Sequence, residues 1–156
     1  MDINSLTQTL IDNRSLKNQQ EISAFENAIS IIFNLKDLDH IGNLCLGFDD
    51  TTEHDEVMFG LIHAIESYDK VFGSEESLKK LSESLHYMLP NAKEWAKTLH
   101  KRILNHEPSC KIYAKVISQG DVNIKKIALQ LVTEIKERNP KMFEASVDEF
   151  VSYVSK

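Results

Sequence analysis

Residues 49–66 read DDTTEHDEVMFGLIHAIE, with five carboxylates and a histidine in the first eight positions. From Val57 onward the apolar residues Met58, Leu61, Ile62 and Ile65, and then Tyr68, fall on one broad stripe. That is the 3.6-residue period of an amphipathic α-helix. The charged start suits the same reading, because carboxylates near a helix N-terminus complement its dipole. Thr51 or Thr52 stands where a cap belongs, and Thr52 with Asp55 has capping-box-like spacing. The expected helix ends near Asp69.

The same period runs outward in both directions. INSLTQTLI aligns Ile3, Leu6 and Leu10; Asn18 and Glu21 stand in capping-box spacing before Ile22, Phe25, Ala28, Ile29 and Ile32. Asp37 is expected to cap a short helix that Gly47 stops, and Ser74 to cap another with Leu78, Leu81, Leu85 and Met88 inward. Pro90, Pro108 and Pro140 are read as helix starts, since proline suits a first turn and not a helix interior. Asp121 is the expected cap of VNIKKIALQLVTEIKER, and KMFEASVDEFVSYV closes the chain. The fold expected is all-α, with about nine helices in a single domain over residues 1–156. Two arrangements suit such a string: a compact helical bundle, or helix pairs stacked as a HEAT-like α-solenoid. The starts at Asp37, Ser74, Pro108 and Pro140 are separated by 37, 34 and 32 residues, close to a helical-repeat length.

Composition narrows the function classes. Five glycines and three prolines in 156 residues argue against a turn-rich β fold. No apolar stretch approaches the roughly 20 residues that span a bilayer, and MDINSLTQTLIDNR lacks the pattern of a signal peptide. A cytoplasmic protein is expected, with Cys45 and Cys110 as buried reduced thiols. Charge is unevenly spread. Residues 1–66 hold 12 Asp and Glu against 3 Lys and Arg, a net −9, and residues 67–156 hold 12 against 15, a net +3. An acidic half is a poor binder of nucleic acid and a good attractor of a basic protein.

Three groups of residues come forward as candidates. Asp49, Asp50, Glu53, Asp55 and Glu56, with Phe59, form a surface expected to meet a partner. Phe59, Gly60, His63 and Glu66 share a second face of the helix, and solvated faces rarely use Phe or Gly. Further on, MLPNAKEWAKTLHKRILNHEPS places Trp95, Leu99, Arg102 and His106 on one helical face. A charge beside the only Trp needs a counter-ion, and Glu66 or Asp49 is the expected partner of Arg102. His63, Glu66, Trp95 and Arg102 are therefore read as a structural polar cluster. Lys93, Lys97 and Lys101 are read as a solvated face, and His40, His54, His86, His100 and His106 as exposed or at helix ends. A metal-dependent enzyme centred on His63, Glu66 and Asp49 is the weaker alternative. Di-iron bundles use two copies of Glu before His, whereas one copy in reverse order occurs here. No zinc spacing, nucleophile elbow, P-loop or dinucleotide fingerprint is present, so no catalytic residue, metal or cofactor is assigned.

LCLGFDDTTEHDEVMFGLIHAIESYD and MLPNAKEWAKTLHKRILNHEPS, in this order, resemble the immunity protein 30 family of bacterial polymorphic-toxin systems. The resemblance centres on FDDTTEH, on His63 to Glu66, on Trp95, and on Arg102 to Asn105. It implies a helical, non-enzymatic antidote that binds a cognate protein toxin in the cytoplasm and blocks it. A basic active-site cleft on that toxin would suit the acidic segment. A general helical-repeat adaptor for other proteins is the alternative.

Overall fold

The computed structural model describes residues 2–156. Among the described residues there are nine α-helices and no strand. They are α1 (Ile3–Asn13), α2 (Gln19–Asn34), α3 (His40–Cys45), α4 (Asp55–Phe72), α5 (Ser74–Ser84), α6 (Lys93–Leu104), α7 (Glu107–Ser118), α8 (Val122–Arg138) and α9 (Pro140–Val154); a 3-10 turn, Leu85–Met88, follows α5.

Short polar side chains start several of these helices. Asp2, Asn18, Asp121 and Asn139 each accept a backbone N–H from the first turn of α1, α2, α8 and α9. The box expected at Asn18 is skewed: the Glu21 carboxylate accepts from Lys17 N, at 3.0 Å, rather than from Asn18 N. Four other starts differ from the sequence reading. Asp37 turns back on Asp39 N at 3.0 Å, so α3 begins only at His40. Thr52 lies two residues before the cap position of α4, which His54 fills without a side-chain bond. Ser74 is already helical because Gly73, at φ 87°, both ends α4 and opens α5; glycine takes that backbone angle at little cost. Pro108 and Pro140 stand in first turns, but Pro90 sits in the turn before α6, after a cis peptide bond.

The helices pack as a ladder. In one row α1 meets α3, α3 meets α5, α5 meets α7 and α7 meets α9. In the other row α2 meets α4 and α6 meets α8, while α1·α2, α4·α5, α6·α7 and α8·α9 form rungs. Among the described residues α1 and α2 make no substantial contact beyond α4. A closed bundle would bring first and last helices together, so the arrangement is of the open, solenoid-like kind. One hydrophobic core runs its length, from Leu6 and Phe25 through Tyr68 and Trp95 to Tyr113, Phe150 and Val154. The loosest step is between α4 and α6, whose backbones barely approach and whose contact is made by side chains.

Candidate functional site

The acidic segment divides into anchored and free carboxylates. Asp49 folds back on its own loop, accepting from Thr51 N at 2.9 Å and Thr51 Oγ1 at 2.7 Å. Asp50 reaches to another helix: its carboxylate accepts from Glu94 N at 3.0 Å and Trp95 N at 3.2 Å. Asp50 N also donates to Asn91 O at 3.1 Å. Ala92, at the cap position of α6, has no side-chain oxygen of its own. Asp50 therefore satisfies first-turn N–H groups of α6 from a distant loop. Glu53, Asp55 and Glu56 stay exposed. Among the described residues they have no lysine or arginine counter-ion; His54 Nδ1 stands 3.5 Å from Glu56 Oε1.

Phe59 is likewise committed. It meets Trp95 edge-on, with ring centroids 5.3 Å apart, and Trp95 stacks on Phe48 at 6.1 Å. Three aromatic rings thus join α4 to α6 and to the loop before α4. Phe59 is half-buried in this joint. Gly60 and His63 are exposed, and a Cβ on Gly60 would meet nothing within 4 Å. No close neighbour demands glycine there.

Glu66 and Arg102 form a bidentate pair, Nε to Oε2 at 2.7 Å and the NH2 nitrogen to Oε1 at 2.9 Å. Donating to the Glu66 carboxylate raises the Arg102 pKa. Trp95 and Leu99 point inward at 8% and 2% exposure, while the Arg102 side chain lies at the edge of that stripe, 41% exposed. Of the four residues read as one polar cluster, Glu66 and Arg102 meet, Trp95 belongs to the aromatic joint, and His63 stands apart. The metal reading loses its geometry on the same account: Asp49 is bound to Thr51, Glu66 to Arg102, and His63 faces outward. Among the described residues no group of three or more His, Cys, Asp or Glu gathers as a metal site.

Beside the Glu66–Arg102 bridge, the splay of α4 from α6 leaves a cleft of about 470 Å³, closed behind by α5 and α7. Ile65, Leu78, Leu81, Leu99 and Ile103 give it an apolar lining. Asp69 lines it too, and burial holds the Asp69 carboxyl above its ordinary range. A hydrogen bond from the Ser77 hydroxyl works against that rise, the charge of Glu66 adds to it, and His106 weakly opposes it.

Two parts of α6 differ from the sequence expectation. Lys97 is 3% exposed, with Nζ 3.2 Å from Glu94 Oε2 and 3.1 Å from Glu134 Oε1. Lys93 joins Glu134 at 2.9 Å and Arg138 joins Glu94 at 2.6 Å, so an ion-pair network ties α6 to α8. Hydrogen bonds from Lys93 and Lys97 pull the Glu134 carboxyl down to about 2. His100 is fully buried, 2.7 Å from Ala96 O and 2.7 Å from Tyr113 Oη. The carbonyl can only accept, so Nδ1 donates to it and Nε2 accepts from the tyrosine hydroxyl. The spacing of Ala96, His100 and Ile103 at i, i+4 and i+7 is the signal that marks this second inward stripe. Cys45 is buried as expected, but Cys110 is only half-buried.

The model of the family described as Immunity protein 30 matches residues 12–113. That span holds the acidic loop, the aromatic joint, the Glu66–Arg102 bridge and the cleft. No curated protein and no solved structure matches the chain.

Proposed function

Since the chain belongs to the immunity protein 30 family, we propose that it binds and neutralises a cognate toxin of a bacterial polymorphic-toxin system. It acts in the cytoplasm as one domain, by covering the toxin rather than by chemistry. The observation that carries this reading is the family match, which spans both sequence blocks that build the α4–α6 region. The surface supports it. Among the described residues Glu53, Asp55 and Glu56 project without lysine or arginine partners, within residues 1–66 of net charge −9. Such a patch speeds encounter with a basic partner and opposes an acidic one. Asp50, Phe59 and Glu66 are each taken up by α6, as helix cap, aromatic joint and bidentate bridge.

The test is co-expression of this protein with each toxin encoded beside its gene. Rescue of growth, together with a stable complex on purification, is the expected result. Absence of rescue against every neighbouring toxin would refute the reading. Capture of partners unrelated to toxins would favour a general helical-repeat adaptor.

A further inference from the structure

The charges in the cleft between α4 and α6 do not balance. Its α4 wall carries two carboxylates, Glu66 and Asp69, and Arg102 faces them across the gap. Both hydrogen bonds from Arg102 go to Glu66. Among the described residues no lysine or arginine stands within ion-pair distance of Asp69; Ser77 lines the cleft with it. Asp69 is also poorly placed for stability. It lies in the last turn of α4, where the helix dipole disfavours negative charge. It is partly withdrawn from water, and the Glu66 carboxylate repels it. An acid kept in such a position weakens the fold until a cation answers it. Ile65, Leu78, Leu81 and Leu99 form an apolar wall beside that acid, and Asn105, His106 and Ser109 also line the cleft. A trough of apolar side chains ending in an unanswered carboxylate suits an aliphatic stem carrying a cationic head. The partly buried, hydrogen-bonding end favours a guanidinium over an ammonium, because guanidinium is more weakly hydrated and presents a planar fork.

We infer that this cleft of about 470 Å³ receives one arginine side chain of the protein partner, its guanidinium on Asp69 and its stem on Leu78 and Leu99. The inference rests on the toxin-binding reading for the identity of the donor protein. The preference of the cleft for guanidinium stands without it.

The experiment is a ¹H–¹⁵N NMR titration of the full chain with N-acetyl-arginine amide, set against the uncharged isostere N-acetyl-citrulline amide. The arginine derivative is expected to shift the amides of Asp69, Ser77 and Leu78 saturably, and the citrulline derivative to leave them in place. Asp69→Asn should weaken the arginine response about tenfold, the scale of one lost partly desolvated ion pair. The same substitution should raise the melting temperature, because it removes an unanswered charge. Equal responses to the two derivatives, no saturable shift, or undiminished binding by Asp69→Asn would each overturn the assignment. So would a lowered melting temperature, which would make Asp69 a support of the fold. No toxin enters this titration, so its outcome is separate from that of the rescue experiment.

Discussion

His100 in α6 and Asp50 in the loop before α4 show how single residues carry the joint between neighbouring helices. Burial holds the His100 imidazole down to about 4 against an ordinary 6.5. The folded state therefore prefers the neutral ring, and the unfolded chain binds the extra proton between those values. The contribution of His100 is complete above pH 6.5 and is lost as pH falls towards 4. Between pH 7 and 5 the loss amounts to about 2 kcal/mol. Urea denaturation across that range should show it, and His100→Gln should flatten the curve there. Asp50 makes a different contribution. Replacing it with Ala removes the cap of α6 and should cost about 1 kcal/mol. Glu53→Ala, on an exposed and unbonded carboxylate, should leave the denaturation midpoint within error.

At the scale of elements, most helices were legible because their apolar stripes and caps lie within one segment. Asn18, Asp121, Pro108 and Pro140 mark starts that the structure also uses. What sequence could not supply were the partners across segments. The cap of α6 comes from Asp50, and the counter-ion of Lys97 comes from Glu134 on α8. A lysine ladder on an isolated helix reads as a solvated face; once α8 lies along α6, Lys97 is covered. Phe59 was legible as an unusual residue, but the ring it touches, Trp95, is on α6. Gly60 presents the opposite case, an oddity that no neighbour explains. It stands exposed inside α4, so Gly60→Ala should stabilise the free protein by roughly 0.8 kcal/mol through helix propensity alone. Thermal unfolding measures the gain. Weakened toxin binding by the same variant would place Gly60 in the interface.

The whole molecule is an open ladder whose negative charge lies in residues 1–66. The family match ends at Tyr113, within α7, yet the ladder continues: Phe150 of α9 stacks on Tyr113, with ring centroids 5.7 Å apart. The helices beyond the match therefore cover the core that the matched region builds. At the start of α4, the free carboxylates Glu53, Asp55 and Glu56 are the ones to reverse, since Asp50 is occupied by α6. Changing those three to Lys should keep helicity, slow association with a basic toxin, and flatten the salt dependence of its rate. Stopped-flow association at several ionic strengths reads this directly.

The bond from Asp50 to α6 also turns two backbone amides into reporters on a loop to which they do not belong. The N–H groups of Glu94 and Trp95 are donated to that carboxylate. Their protons exchange with solvent only when the loop lets go or the start of α6 frays. Hydrogen-exchange rates at Glu94 and Trp95 thus measure how often the acidic loop opens. A toxin seated on Glu53, Asp55 and Glu56 should slow that exchange even though it touches neither amide. A toxin bound at the far end of the ladder should leave it unchanged.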